Sequence, residues 1–187
     1  MGTAHPSFFG RMDTKEGVLM ELKELCEKTF KIFDIKSTDE LSRALFDVCK
    51  NNDSDKIDMF VNTVQDLSVD WLQKIFQYYQ ADRKEKMQDY TPKTLAELVG
   101  RLCGDSDTVI DMCAGSGALT IQKWNQNHDL KFVLYEFDER VIPYLIFNMV
   151  IRNIDSVIYQ SDVLQDEIYH EYRISKGEKY GRFQVIK

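Results

Sequence analysis

Between Val109 and Thr120 the chain reads Val-Ile-Asp-Met-Cys-Ala-Gly-Ser-Gly-Ala-Leu-Thr: an apolar run, an acid, a loop of small residues and a helix-like restart. A strand that ends in a glycine turn and leads into a helix brings free backbone N–H groups to one point, where an anionic ligand group can be held. Gly115 would permit the turn through a positive φ, and Gly117 would let a ligand approach the backbone with no Cβ in the way. Asp111, at the carboxyl end of the strand, would fix the loop or meet a ligand ammonium. A β-turn-α connection without a ligand also uses small residues, so the loop needs support from the strands that follow.

Two further runs supply it. Phe132 to Tyr135 ends in Glu136, about twenty residues past the glycines, the spacing at which an acid on a second strand reaches the ribose hydroxyls of a nucleoside. Val157 to Tyr159 is followed by Ser161-Asp162-Val163-Leu164, a third acid at a strand end. The pattern is β-α-β-α-β, and right-handed crossovers make it a parallel sheet with the three acids facing one crevice.

The elements before the loop read as helices. Residues 1–12 form an irregular arm, after which the capping box Asp13-x-x-Glu16 opens a stripe of Leu19, Leu22, Cys26, Phe30 and Phe33. A second box, Ser37-x-x-Glu40, precedes Leu41, Leu45, Val48 and Cys49, with Asn51-Asn52 as the stop. Ile57, Phe60, Val61, Val64 and Leu67 make a third stripe, and Ser68 or Asp70 caps a fourth with Trp71, Leu72, Ile75, Phe76 and Tyr79 inward. Neither glycine nor proline interrupts residues 18–91, which suits an all-α region. Thr91 as N-cap and Pro92 at the first helical position start the next helix, with Leu95, Leu98, Val99 and Leu102 as its buried face. The helix after Glu136 carries Pro143 near its first turn and packs through Leu145, Met149 and Ile151. Residues 165–182 are polar with a turn at Lys176-Gly177, and Phe183 to Lys187 reads as the start of a fourth strand. The division expected is a helical domain over 1–89 and an α/β domain over 90–187.

Composition narrows the classes. A chain of 187 residues, 43% hydrophobic and 29% charged, is an ordinary globular protein with a real core. With 24 basic and 31 acidic residues its formal charge is -7, so a phosphate backbone would need a local basic patch, further sequence or a partner. Cys26, Cys49, Cys103 and Cys113 are far apart and are expected to be buried reduced thiols. No metal-ligand spacing occurs, His5, His128 and His170 are isolated in polar stretches, and Cys113 reads as a loop-packing residue rather than a nucleophile. No run is long enough to span a bilayer, no leader is evident, and Pro6 stands where a myristoylation signal needs Ser or Thr, so the chain is read as cytoplasmic. Thr120 occupies the third glycine position of a dinucleotide fingerprint, which counts against a nicotinamide enzyme.

Asp111-Met-Cys-Ala-Gly-Ser-Gly117 resembles the S-adenosylmethionine loop of the N-6 adenine-specific DNA methyltransferases, especially the modification subunits of type I restriction-modification systems, where the usual form is Asp-Pro-x-x-Gly-Ser-Gly. Tyr90-Thr91-Pro92 resembles that family's Tyr-Thr-Pro element, and Ser161-Asp162-Val163-Leu164 is similar to its Gly-Asp-Ser-Leu element. The resemblance covers residues 88–187 well and the first half in general character. It implies a Rossmann-like, S-adenosylmethionine-dependent methyltransferase sheet, incomplete at the carboxyl end, after an all-α helical region. Tyr90, Thr91, Pro92 and the loop Ala114, Gly115, Ser116 and Gly117 would then hold the methionine end of S-adenosylmethionine, with Asp111 opposite the ammonium. Glu136 would take the ribose hydroxyls, Phe137 would pack on the adenine, and Asp162 and the Val163 N–H would meet the adenine edge.

The chain departs from the pattern at two points. Met112 stands where the family usually has proline, and the catalytic Asn/Asp-Pro-Pro-aromatic element has no counterpart, because Pro6, Pro92 and Pro143 are the only prolines. The chain is therefore expected to be the amino-terminal part of a longer enzyme that binds cofactor without transferring methyl by itself, so no catalytic residue is assigned. DNA is the implied substrate of the full-length enzyme, with a separate specificity subunit or a second copy of the chain as further partners. The alternatives are a methyltransferase acting on protein, RNA or a small molecule, or a scaffold with a degenerate cofactor fold.

Overall fold

The computed structural model describes residues 22–79, 91–104 and 106–187. Tyr90, the first capping box and Leu19 lie outside the described residues. Helix α1 (Leu22–Phe33) buries Leu25, Cys26, Ile32 and Phe33, a stripe at helical spacing. A 3₁₀ turn (Thr38–Glu40) leads into α2 (Leu41–Asn51), so the second box acts before the turn: the Glu40 carboxylate accepts the Lys36 N–H at 3.2 Å. The left-handed Asn52 (φ 51) stops α2. Asp53 caps α3 (Ser54–Val64) by accepting the Lys56 N–H, and Asp70 caps α4 (Trp71–Tyr79) by accepting the Gln73 N–H.

Helix α5 (Lys93–Leu102) starts one residue later than the sequence predicts, with Pro92 extended in the cap position at ψ 144°. Its expected buried face is not the one it buries. Leu95, Leu98 and Leu102 are exposed, whereas Ala96 and Gly100 are buried. The reason is the partner, α6 (Ala118–Trp124), which crosses so closely that a Cβ on Gly100 would lie 3.5 Å from the Lys123 backbone nitrogen and 2.8 Å from Nε2 of Gln126, just past the helix. The buried Lys123 of α6 donates to the Gly100 and Cys103 carbonyls at 3.2 and 2.8 Å, satisfying the end of α5.

The sheet has five strands in the order β1 (Thr108–Asp111), β2 (Lys131–Glu136), β3 (Ser156–Asp162), β4 (Glu167–Ser175) and β5 (Arg182–Val185). The first three are parallel, as the β-α-β-α-β reading requires. The last two are antiparallel, which corrects the expectation of a wholly parallel sheet with a fourth parallel strand from Phe183. The turn after Asp162, with Asp166 at φ 56, is too short for a crossover and folds β4 straight back on β3. The stretch read as polar connection is thus a strand whose alternate residues Tyr172 and Ile174 are buried.

Between β2 and β3 runs α7 (Ile142–Ile151), buried all round rather than along one side. It lies between the sheet and the preceding helices, the position that an apolar circumference demands. Phe147 stacks edge-on against Phe33 and Phe60 at 5.6 and 5.3 Å between ring centroids, and Tyr144 meets Phe76 at 5.2 Å. Phe46 of α2 reaches Phe183 of β5 at 5.4 Å. One apolar core therefore runs from α1 to β5. Cys26 and Cys49 belong to it, while Cys103 and Cys113 are exposed, contrary to the expectation of four buried thiols. Among the described residues no helix is long and apolar enough to cross a membrane.

Candidate functional site

Each of the three acids at the strand ends first serves its own chain. Asp111 accepts the Cys113 N–H at 3.2 Å, and Asp162 accepts the N–H groups of Leu164 and Gln165. Glu136 Oε1 accepts from Phe137 and Asp138 at 2.9 and 2.8 Å. A strand that leaves its sheet exposes unpaired N–H groups, and a nearby carboxylate satisfies them. Glu136 alone also reaches a neighbouring segment: its Oε2 accepts the Gly115 N–H at 2.8 Å.

The glycine loop is braced from below by Ala114, whose N–H donates to the Tyr135 carbonyl at 2.8 Å. Gly115 and Gly117 both have positive φ, at 57 and 98, which L side chains rarely adopt. Open space surrounds Gly115, whereas a Cβ on Gly117 would lie 3.0 Å from Leu145 and Met149 of α7. The close approach that the sequence suggested for a ligand at Gly117 is made by α7. Helix α6 is seven residues long, so its terminus adds little field, and the loop's N–H groups are not the free donors the sequence suggested: those of Cys113, Ala114, Gly115 and Gly117 are given to Asp111, Tyr135, Glu136 and Ala114.

Beside the loop is a half-open cavity of about 160 Å³, lined by Gln73, Thr91, Cys113, Ala114, Gly115, Ser116, Ala118, Leu119, Glu136 and Val141. Thr91, Ala114, Gly115, Ser116 and Glu136 were candidates in the sequence, and the fold brings these five together. Pro92, Asp111, Gly117, Phe137, Asp162 and Val163 lie outside that lining. Phe137 follows Glu136 directly and is 63% exposed, and Leu164, next to Val163, is 95% exposed. Gln73, from the first turn of α4, is the lining amide that sequence reasoning missed, and Cys113, Ala118, Leu119 and Val141 complete the wall without having been candidates.

Behind the loop lies a buried polar cluster. Asp70 accepts from Ser116 Oγ at 2.7 Å and from Asn148 Nδ2 at 2.9 Å, and the same Nδ2 donates to the Ser116 carbonyl at 2.8 Å. Arg152 donates to Asn148 Oδ1 and to the Leu67 and Val69 carbonyls. A signal for the cluster was present: Asn148 is the one amide in the apolar run Ile142–Ile151, with Arg152 four residues on.

Burial sets the electrostatics. It pushes the Asp70, Asp111 and Glu136 carboxyls above the usual carboxylate range, against backbone N–H donors at all three and the Ser116 hydroxyl at Asp70 that pull them down. It draws the Arg152 guanidinium down to about 10, still charged at neutral pH. Desolvation, then Glu136 and Asp111, push the Cys113 thiol up, which keeps it protonated and unsuited to attack.

A cavity at the carboxyl ends of parallel strands, walled by a glycine turn from one strand and an acid from the next, is the ligand position of open α/β sheets. The N-6 DNA methylase family matches residues 64–179, and the chain belongs to that family. The match begins within α3, so it takes in Asp70 and Gln73 as well as the glycine loop, Glu136 and Asp162. No curated protein and no solved structure matched the chain.

Proposed function

We propose that the cleft binds S-adenosylmethionine for an N-6 adenine DNA methyltransferase. The observation that carries this reading is the convergence of Glu136, held by three N–H groups, with the Gly115-Ser116 turn on one cavity in a chain of this family. The donor set suits the cofactor: a fixed carboxylate for hydroxyl donors, and a hydroxyl at Thr91 with an amide at Gln73 for the methionine end. The volume of about 160 Å³ is below the roughly 300 Å³ of a typical complete ligand site, so the enclosed part suits one end of the molecule. The base end would lie outward, across Phe137 and toward Asp162 and Val163, in a Rossmann-like arrangement.

When bound, the cofactor would supply a methyl group on a sulfonium to an amine of DNA. This chain's residues would orient it: Glu136 by accepting the ribose hydroxyls, the glycine loop and Thr91 by receiving the methionine end. No Asn/Asp-Pro-Pro-aromatic element accompanies them, so we infer that the chain as given binds cofactor and does not transfer methyl unaided. A restriction-modification setting in the cytoplasm of a bacterium or phage, with a specificity subunit reading the DNA, fits an acidic chain.

Titration calorimetry with S-adenosylhomocysteine tests the proposal. Saturable heat is expected from the wild-type chain, and Glu136→Ala should weaken binding by about 1–3 kcal/mol. No heat from a demonstrably folded sample would remove it.

A further inference from the structure

Asp70 lies in the helical half of the chain, 46 residues before the serine it holds. Its carboxylate is 6% exposed and accepts hydrogen bonds from three segments: the first turn of α4, the glycine loop and α7. Ser116, 3% exposed, is gripped at both its hydroxyl and its carbonyl. It stands between two glycines at positive φ, where the backbone has the most freedom to lose its shape. Arg152 fixes the carbonyls of Leu67 and Val69 on the approach to Asp70, so the acid is itself anchored. Burying a carboxylate and a guanidinium carries a desolvation cost that apolar packing at the same place avoids, so stability alone does not explain the arrangement. Its outer side is the wall of the cleft, where Gln73 and Ser116 both face the cavity.

We propose that Asp70 is a positioning residue of the ligand cleft: through Ser116 it holds the glycine loop in its binding shape, which makes the helical half part of the binding apparatus. The inference rests on the cleft being the cofactor site. It predicts that the loop is held before any ligand arrives, because every bond in the cluster is internal to the chain. In the ligand-bound state the effect on affinity would come from a loop already in place, with less ordering left for the ligand to impose.

The test uses the full chain and two readouts. The first is amide hydrogen exchange of residues 112–120 without ligand, compared with exchange in α7 and β2. The second is S-adenosylhomocysteine affinity by calorimetry, at a temperature well below unfolding. Ser116→Ala removes one bond and no bulk; it should speed exchange in the loop about tenfold, leave the α7 and β2 amides nearly unchanged, and weaken binding by about tenfold. Asp70→Asn keeps the size and the hydrogen-bonding reach, since the serine hydroxyl can turn and accept; it should restore most of the loop protection that Asp70→Ala loses. If Ser116→Ala lowers only the melting temperature and leaves loop exchange and affinity at wild-type values, the positioning role is wrong. If the folded wild type gives no heat while Ser116→Ala still loosens the loop, the cofactor reading falls and the restraint on the loop stands.

Discussion

At the scale of single residues, Glu136 is the group whose chemistry is easiest to read out. Burial raises its carboxyl, so acidification protonates it at a pH above the ~4.3 of an ordinary glutamate. A protonated carboxyl accepts fewer hydroxyl donors, so S-adenosylhomocysteine affinity should fall as pH drops through the folded value. Glu136→Gln should bind more weakly at neutral pH and lose that acid-side fall; calorimetry across the range reads both. Stability runs the other way. Between the ordinary carboxylate range and their raised folded values, Asp70, Asp111 and Glu136 hold protons in the native state that the unfolded chain has released, so their contribution to stability is full below that window and declines as pH rises through it. Urea midpoints should show part of that decline disappear in Glu136→Gln. The acids and glycines were legible in the sequence because their residue types are demanded by local backbone needs. Asn148 and Arg152 stood out by type in an apolar run, but what they hold was not legible, because Asp70 and Leu67 lie 78 and 85 residues away.

At the scale of elements, periodicity located the helices better than it chose their faces. The apolar stripe of α5 is real, yet the helix packs on α6 through Ala96 and Gly100, since small residues allow the closer contact. Leu102→Lys should therefore change stability by less than about 0.5 kcal/mol, whereas Ala96→Leu should cost about 1–3 kcal/mol, both by urea denaturation. The strands of the βαβαβ unit were legible as short apolar runs ending in acids. The β4–β5 hairpin was legible only in part: Phe183 onward reads as a strand, but in β4 the buried alternation is confined to Tyr172 and Ile174, and the exposed Glu167 to His170 give too little apolar pattern to mark its start.

At the scale of the molecule, the helices and the sheet share side chains of one core, with Phe147 in contact with Phe33 and Phe60 across the junction. Asp58 of α3 adds a polar tie, accepting from Lys179 Nζ at 2.6 Å and from the Tyr180 hydroxyl ahead of β5. Phe147→Ala should cost about 3–5 kcal/mol. Trp71 and Trp124 report on different halves of the chain, and fluorescence and circular dichroism should follow a single transition in the wild type. Sequence could place the two halves in order but not against each other, because docking depends on an α7 that is apolar on every side and so declares no preferred face.

The bond between Glu136 and Gly115 has a consequence for occupancy. On the reading of the cleft as a nucleoside site, the carboxylate would meet a ligand with three of its roughly four acceptor positions already filled by backbone N–H groups and one position on Oε2 left for a hydroxyl. A nucleoside offering two hydroxyls would take that position with one and share Oε2 with the Gly115 amide for the other. Loosening the Gly115 contact should then shift ligand affinity more than it shifts the stability of the fold.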